Sequence, residues 1–403
     1  MSKSLANINV LDFSHALSGP FCSMLLAELG ANIIKIEPPG GDHFRPANGG
    51  ATFAVVNRNK RSLCIDLKKP SASPILERLI SKSDIVLENF TPGTMERLGY
   101  DFETLKKKKP DIIYASISGF GPTGPYKDLK GYDAVAQAMS GIMASTGEAN
   151  RPPVRVGPSL IDMGTGMYVV IGILDALRTR DLTGKGTLLE FNLLESALSW
   201  MSQSIANFSR TGKVPERTGS ALASFSPYQV FNARNGQVFI GAASEIFRQK
   251  LCCALKADEL LGDKRFSTMK ERVSNRRILS GLIEARLRHY DVASILTKLR
   301  SAGVPCAPVL DIEGVVNDPH VKAREAISYC TDTNLGNILQ TRMPIGDGSP
   351  PKPAPLLGEH NSEVLNELGF NRKDIENFIK TETRLAFIPV SYTHLTLPTN
   401  REV

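Results

Sequence analysis

The chain has 403 residues, 42% of them hydrophobic and 22% charged, with 48 basic against 41 acidic side chains. This length and balance are those of a soluble globular protein with room for two domains and a large core. The net charge of +7 is spread along the chain rather than gathered in a basic patch, which favours anionic small ligands over nucleic acid.

The N-terminal segment MSKSLANINVLDF runs directly into a predicted strand, without an apolar signal region or an Arg-rich presequence. Six cysteines form no C-x-x-C pair and sit mostly among apolar residues, which is typical of reduced thiols inside a cell. They are Cys22, Cys64, Cys252, Cys253, Cys306 and Cys330. We therefore expect a cytoplasmic protein, and a mitochondrial one only if a presequence is missing from this chain.

The first third of the chain alternates strand-like and helix-like runs. Strands are predicted at 8–13, 32–37, 62–67, 84–89 and 111–117, and helical patterns lie between some of them at 20–31 and 73–83. Such repeats predict an α/β fold, a doubly wound parallel sheet whose ligand lies beyond the carboxyl ends of the strands. The turn SHALSGP after the first strand lacks the G-x-G-x-x-G fingerprint, which argues against a nicotinamide or flavin enzyme.

The rest of the chain changes pattern. From about residue 134 to 208 it is predicted helical, including LLEFNLLESALSWMSQSIANF, and 209–224 is a polar linker. The segment PYQVFNARNGQVFIGA predicts a hairpin that turns at Asn235-Gly236. We expect a large Rossmann-like domain at 1–208, a smaller α+β domain at 225–320 and a return to the large domain at 321–389. The tail at 390–403, VSYTHLTLPTNREV, resembles a translated cloning adapter.

One carboxylate, Asp162, sits where a glycine-rich turn leads into an apolar helix. The uncharged run 164–174 falls short of the roughly 20 residues that cross a bilayer, so it predicts a buried core helix. An aspartate at such a place ordinarily caps free backbone N–H groups, and the alternative is a working carboxylate. Composition alone favours the cap.

Motifs along nearly the whole chain reverse that preference. VLDFSHALSGP, GANIIKIEPPGGDHFR, NRNKRSLCIDLK, ENFTPGTMERLGY, SISGFGPTGP, GYDAVAQAMSGIMASTG, LIDMGTGMYVV, GVPCAPVLD and APLLGEH follow in this order across residues 5–370. The chain resembles the class III CoA-transferases, the family of formyl-CoA transferase and succinate–hydroxymethylglutarate CoA-transferase. The resemblance implies that Asp162 is a nucleophile that attacks an acyl-CoA thioester and forms first a mixed anhydride and then an aspartyl-CoA thioester.

The resemblance also implies which residues bind CoA. They are His15, Ala16, Leu17, Arg45, Lys60, Arg61, Asn89, Phe90, Arg97, Lys130 and Tyr132. Arg45 and Arg97 suit the bidentate pairing of a guanidinium with phosphate, and His15 is expected to line the CoA channel rather than act as a base. CoA enters as the acyl-CoA substrate; no permanently bound cofactor, metal, membrane or nucleic-acid partner is expected.

Two departures bear on the substrate. Leu17 stands where formyl-CoA enzymes have glutamine, and their tetraglycine loop is missing near 241–245. Both argue against formate or oxalate. The segments GYDAVAQAMSGIM and SPYQVFNARNGQVFIGA are more similar to the dicarboxylate and hydroxymethylglutarate type, which implies a dicarboxylyl donor such as succinyl-CoA. A distal carboxylate needs cations, for which Arg151, Arg155 and Arg217 are candidates, with exposed surface charge as the alternative. The family further implies an interlocked homodimer, which the linker at 209–224 and the return near 303–320 would permit.

Two other functions stay open. α-Methylacyl-CoA racemases share the fold, but they use a histidine and a glutamate where this chain has Tyr132 and Ser244, with Glu245 displaced by one position. A phenol replaces imidazole poorly in two-base proton transfer near neutral pH. The other possibility is a non-catalytic CoA-binding protein in which Asp162 only caps its helix.

Overall fold

A computed structural model of the chain describes residues 3–382, so the predicted adapter tail at 390–403 lies outside the described residues. The described residues form two compact units: unit 1 comprises 3–133, 159–196 and 328–382, and unit 2 comprises 134–158 and 197–327. The segments 134–158 and 197–208 therefore group with unit 2. The domain boundaries drawn from the sequence, at 1–208, 225–320 and 321–389, stay a prediction.

The strands within the described residues are β1 (Asn9–Asp12), β2 (Asn32–Glu37), β3 (Arg61–Cys64), β4 (Ile85–Glu88), β5 (Ile113–Ser118), β6 (Thr187–Asn192), β7 (Tyr228–Ala233), β8 (Gly236–Gly241), β9 (Cys306–Pro308), β10 (Ile327–Asp332) and β11 (Gly336–Thr341). The helices from the first half are α1 (Ser18–Glu28), α2 (Ala51–Val56), α3 (Ser73–Lys82), α4 (Thr94–Leu98), α5 (Phe102–Lys108), α6 (Asp133–Met139), α7 (Ile142–Ser145), α8 (Leu160–Thr183), α9 (Leu193–Trp200) and α10 (Ser202–Thr211). The second half adds α11 (Glu245–Leu255), α12 (Glu259–Gly262), α13 (Met269–Ser274), α14 (Arg276–Leu287), α15 (Val292–Ser301), α16 (Ile312–Asn317), α17 (Pro319–Ala323), α18 (Asn361–Glu367) and α19 (Arg372–Glu382).

A six-stranded parallel sheet organises unit 1, in the order β3-β2-β1-β4-β5-β6. The five predicted strands are all present, with ends that differ by up to three residues. The prediction of helix was wrong for residues 188–192, which belong to the sixth strand. That run is apolar without a clear period, so it suits either element, and pairing with β5 decides for the strand.

Alternate residues of each central strand face opposite sides of the sheet, and each side packs against helices. On one side lie Leu11, Ile34 and Val86 with apolar residues of α3, α5, α18 and α19. On the other lie Val10, Ile33 and Ile85 with α1 and α8. Both faces of the sheet are therefore covered, which directs a ligand to its carboxyl edge.

The long helix α8 packs along α1 at unusually close range. A Cβ added at Gly166 would lie 2.8 Å from the carbonyl oxygen of Ser18 and 3.1 Å from the ring of Phe21. Glycine is needed there because the two backbones approach so closely. Among residues 3–382, α8 is the one helix whose length and composition would let it cross a membrane, and half of its apolar window is buried. Its packing against α1 and the sheet is that of a core helix.

Unit 2 contains a three-stranded antiparallel sheet in the order β7-β8-β9, covered by α11, α14 and α15 around one apolar cluster. The hairpin predicted at Asn235-Gly236 is present, shifted by one residue. Ala233 pairs with Gly236, so the two loop residues are Arg234 and Asn235.

Candidate active site

A cavity of about 370 Å³ opens in unit 1 beyond the carboxyl ends of β1, β4 and β5. This is the edge of the sheet where the strand pattern places a ligand. Its walls come from the turn after β1, the loops after β2 and β4, the loop 117–132, and the starts of α8 and α9. Its lining residues are His15, Ala16, Leu17, Ser18, His43, Phe44, Asn89, Phe90, Thr91, Pro92, Ile117, Ser118, Gly119, Lys127, Leu129, Lys130, Gly131, Tyr132, Asp162 and Leu193.

Asp162 lies in the first turn of α8 and lines this cavity, but it does not cap the helix. The cap comes from Asp133, whose Oδ2 accepts the backbone N–H of Ile161 at 2.8 Å and that of Asp162 at 3.3 Å. Within residues 3–382 we find no hydrogen bond donated to the Asp162 carboxylate. The ordinary explanation for an aspartate at a helix start is therefore wrong for Asp162, and its side chain is left facing the cavity.

The surroundings of Asp162 oppose its charge. Burial, reinforced by the neighbouring negative charge of Asp133, raises the pKa of the Asp162 carboxyl to about 7. The N–H groups at the start of α8 would ordinarily lower it, but the hydrogen bonds to Asp133 occupy them. Asp162 is thus a basic carboxylate, and such a group is a better nucleophile than an ordinary one.

The turn after β1 forms one wall of the cavity and is tied down through its backbone. Asn89 Oδ1 accepts the N–H of His15 at 2.7 Å, and Asn89 Nδ2 donates to the carbonyl of His15 at 2.8 Å. The ring of Phe90 lies 5.2 Å from that of His15, and Ala16 takes a left-handed φ of 63°. Burial and the charge of Lys35 lower the pKa of His15, so its imidazole is neutral near pH 7.

Glycines close the loop 117–132 over the cavity. A Cβ added to Gly119 would lie 2.5 Å from the Cα of Gly131, and one added to Gly131 would lie 2.3 Å from the Cα of Gly119. The two backbone segments touch at this point, and neither position admits a side chain. This contact holds Lys127, Lys130 and Tyr132 at the cavity.

Beneath the turn lies a buried ion pair between Asp12 and Lys60. Lys60 Nζ donates to Asp12 Oδ2 at 3.1 Å, to the carbonyl of Pro20 at 3.0 Å and to Asn57 Oδ1 at 2.8 Å. Burial lowers the pKa of Lys60 to about 8 despite Asp12. Lys60 is only 4% exposed and does not line the cavity, so the structure gives this predicted CoA ligand a role inside the domain.

A second buried pair, Lys35 with Asp42, joins two loops of the cavity. Lys35 Nζ donates to the carbonyl of Ser14 at 2.7 Å and lies 3.0 Å from Asp42 Oδ2, while Asp42 Oδ1 accepts from Phe44 N at 2.9 Å. His15, Asp42 and His43 bring possible metal-ligand atoms within 4.8 Å of one another. Lys35 already balances that carboxylate, so the donor set fits a cation poorly.

The remaining predicted CoA contacts fall into two groups. Lys130 and Tyr132 are exposed at the cavity with the turn residues His15, Ala16 and Leu17. Arg45, Arg61 and Arg97 do not line it. The guanidinium of Arg45 binds both oxygens of Glu37 at 2.7 Å, that of Arg61 contacts Glu363 and Glu367 at 2.7 Å, and that of Arg97 donates to Thr94 Oγ1.

The three arginines considered for a distal carboxylate lie in unit 2. Arg217 donates to the backbone carbonyls of Glu148, Ala144, Ala149 and Arg151 at 2.9–3.4 Å. Its guanidinium thus fastens the loop 144–151. Arg151 and Arg155 are exposed.

The sequence analysis did not single out three titratable residues of the site: His43 and Lys127, which line the cavity, and Asp133, which holds the start of α8. Asp133 stands inside GYDAV and His43 inside GDHFR, so both lay within segments already singled out. No spacing rule connects Asp133 to a helix that begins 27 positions later, since its role depends on the folded loop.

Comparisons with known proteins show the family of this chain. The model of CoA-transferase family III matches residues 5–361. The chain is 35% identical over 386 residues to succinyl-CoA–D-citramalate CoA-transferase of Chloroflexus aurantiacus, covering 93% of this chain and 96% of that protein. It is 35% identical over 377 residues to mouse succinyl-CoA:glutarate CoA-transferase, covering 91% and 86%. It is 39% identical over 370 residues to acetyl-CoA:oxalate CoA-transferase of Acetobacter aceti, covering 89% and 94%.

Solved structures agree as well. A crystal structure of a CAIB/BAIF family protein from Brucella suis superposes with a TM-score of 0.84 at 34% identity, covering 91% of this chain and all of that one. The chain belongs to CoA-transferase family III and is a CoA-transferase, as the sequence motifs predict.

Proposed function

We propose that Asp162 is the covalent nucleophile of this CoA-transferase. The observation that carries the proposal is the placement of its carboxylate: at the cavity, withdrawn from water and relieved of the capping role by Asp133. A basic carboxylate that accepts no hydrogen bond from residues 3–382 is poised to attack a thioester carbonyl.

The reaction balances without a net proton transfer. A carboxylate oxygen of Asp162 attacks the acyl carbon, the C–S bond breaks, and CoA thiolate leaves a mixed anhydride. The thiolate then attacks the aspartyl carbonyl and expels the donor acid, which gives an aspartyl-CoA thioester. The acceptor carboxylate attacks that thioester to form a second anhydride, and the returning thiolate attacks its acyl carbon. Acceptor acyl-CoA is released and Asp162 is restored.

CoA is proposed to occupy the cavity that Asp162 lines. Lys127 and Lys130 offer cations there, and His15 and Phe90 offer a largely apolar wall. The chemistry suits a phosphate-bearing ligand with an apolar arm. The roles of Arg45, Lys60, Arg61 and Arg97 as CoA ligands stay predictions. Each of these side chains already binds a partner within the protein.

Succinyl-CoA is the proposed donor, because relatives that match nearly the whole chain carry succinyl-CoA in their names. The acceptor is a free carboxylic acid. The Acetobacter relative acts on oxalate by its name, so oxalate belongs in the acceptor panel with glutarate and citramalate even though Leu17 argues against it.

The test is trapping on the intact enzyme. Wild type incubated with succinyl-CoA and then hydroxylamine or borohydride should be modified at Asp162, as located by peptide mass spectrometry. Asp162→Asn and Asp162→Ala should lose transfer by at least about a thousandfold while the Kd for CoA stays within a few-fold. Asp175→Asn, at an exposed position of the same helix, is the matched control and should keep wild-type turnover. Full turnover by Asp162→Ala, or label on another carboxylate, would reject the proposal.

We also propose a homodimer, interlocked as in the family, and a doubly wound large domain. Helices cover both faces of the parallel sheet, which supports the proposal of a doubly wound domain. An exposed apolar stripe on α8, formed by Met167, Ile171 and Leu174 at helical spacing, supports a partner surface. Light scattering that shows an active monomer would reject the dimer. A cytoplasmic location is proposed because the six cysteines form no disulfide among the described residues, which is typical of a reducing compartment.

A further inference from the structure

We propose that Asp133 is a positioning residue of the transfer reaction, which fixes the start of α8 and holds a second carboxylate against the nucleophile. The role rests on the proposed function of Asp162. It adds a residue that touches neither CoA nor the acyl group but acts through Asp162.

The contacts of Asp133 are short and buried. Its Oδ2 accepts from Ile161 N at 2.8 Å and from Asp162 N at 3.3 Å, and the residue is only 6% exposed. Ser159, the residue before α8, makes no side-chain capping bond of its own. The first turn of α8, and with it the backbone of Asp162, is therefore held by a side chain from a different segment.

This arrangement has an electrostatic consequence. Helix-start N–H groups favour a nearby negative charge, and here they are given to Asp133 rather than to Asp162. The Asp162 carboxyl is largely buried, and the negative charge of the neighbouring Asp133 raises its proton affinity further. The groups that face Asp162 from the other cavity walls are His15, His43, Lys127, Lys130 and Tyr132. Asp133 opposes the ionised form of Asp162.

The opposition favours catalysis because acylation removes the charge of Asp162. In the resting enzyme two carboxylates repel each other, whereas in the anhydride and the thioester only Asp133 is charged. The repulsion is relieved as the covalent bond forms, so it lowers the barrier to attack.

Two substitutions separate charge from capping. Asp133→Asn keeps an oxygen that accepts the N–H groups of α8 but removes the charge, and Asp133→Ala removes both. With Asp133→Asn the acid limb of kcat/KM should move down by about one pH unit. At pH 8, kcat should fall about tenfold through the weaker nucleophile, while the KM for succinyl-CoA stays within about twofold. The fraction of enzyme trapped as the aspartyl-CoA thioester should fall as well.

The matched control is Asp101→Asn. Asp101 caps α5 by accepting Thr104 N at 3.1 Å, lies in the same unit and does not line the cavity. It should leave the acid limb, the kcat and the trapped fraction unchanged. Asp133→Ala should add a loss of thermal stability that Asp133→Asn largely avoids.

A measurement without turnover completes the test. A water-soluble carbodiimide with an amine labels protonated carboxyls, so the labelling of Asp162 against pH reports its ionisation in the free enzyme. The midpoint should be near 7 in wild type, and lower in Asp133→Asn. An unmoved midpoint together with an unmoved acid limb would reject the role of Asp133 alone. Failure of the wild-type enzyme to form any covalent adduct at Asp162 would instead reject the proposed function on which it rests.

Discussion

Asp12 at the end of β1 and Asp162 at the start of α8 are both withdrawn from solvent in unit 1, yet they meet opposite environments. Burial alone would raise the pKa of Asp12, but the ammonium groups of Lys60 and Lys35 and the hydroxyls of Ser14 and Ser23 hold it well below its usual range. At Asp162 burial acts with the charge of Asp133, and the pKa rises to about 7. The same side chain is thus a structural anion in one place and a basic carboxylate in the other.

The difference shows how the fold separates stability from chemistry. The charges under the turn after β1 are matched one to one, Asp12 with Lys60 and Asp42 with Lys35. This matching holds the cavity wall in place. The carboxylate that faces the cavity is left without a matching cation within the described residues, which favours its reaction with an electrophile.

The largest expected effect comes from removing one partner of the buried ion pair between Asp12 and Lys60. Lys60→Met leaves Asp12 buried without its ion-pair partner, and should lower the free energy of unfolding by about 3–5 kcal/mol. The double variant Asp12→Asn with Lys60→Met should recover most of that loss, because no lone charge remains. Urea unfolding measures both.

Lys107→Met is the control for the removal of a lysine as such, since Lys107 is exposed. If Lys60→Met lowers the free energy of unfolding by less than about 1 kcal/mol, the Asp12–Lys60 pair contributes little to stability. The claim that Asp12 contributes to stability through its ion pair would then be wrong.

The second substitution should raise the free energy of unfolding rather than lower it. Asp162→Asn should stabilise the protein, by about 1–3 kcal/mol at pH 8, because it removes a carboxylate whose ionisation the folded state disfavours. The pKa of Asp162 is raised to about 7, above that of an unfolded aspartate. Its destabilising contribution is therefore absent below about pH 4, grows as the pH rises towards 7, and is complete above that.

Differential scanning calorimetry at pH 5 and pH 8 tests this dependence. The difference in Tm between Asp162→Asn and wild type should be larger at pH 8. Asp175→Asn, exposed on the same helix, should show no such dependence. Equal Tm differences at both pH values would mean that Asp162 ionises as freely in the folded chain as in the unfolded one.

The smallest effect concerns the turn that separates the two aspartates. Asn89→Ala removes both hydrogen bonds to the backbone of His15 and should weaken CoA binding about tenfold, with kcat less affected. Calorimetric titration with CoA measures the change, and Asn366→Ala, at an exposed position, is the control. Unchanged affinity would show that the turn keeps its shape through the buried charges alone.

Much of unit 1 was predictable from local pattern. The five strands appear because β-branched runs specify them within a few residues. The helix predicted at 73–83 follows an amphipathic period, whereas the one predicted at 20–31 is apolar on nearly every side and is buried. The strand Thr187–Asn192 was not predictable, since an apolar run of that length suits a helix equally well. Its state depends on β5, which lies about 70 residues earlier in the chain.

The site divides in the same way. The motif around Asp162 and the turn residues His15 to Leu17 were identified, and the structure brings them to one cavity with Asn89, Phe90, Lys130 and Tyr132. The partners of Arg45, Lys60 and Arg61 were not identified. A basic residue in a motif looks the same whether it faces a phosphate or a buried carboxylate.

The sequence by itself determined the family and the α/β class, and it singled out Asp162 as the aspartate proposed to be the nucleophile, because these depend on residue types in order along the chain. Tertiary structure alone decided what Asp162 is chemically. Whether an aspartate at a helix start is a cap or a basic nucleophile depends on which group takes the free N–H donors and which charges stand nearby. Here Asp133 does both, from a segment that only folding brings to the start of α8.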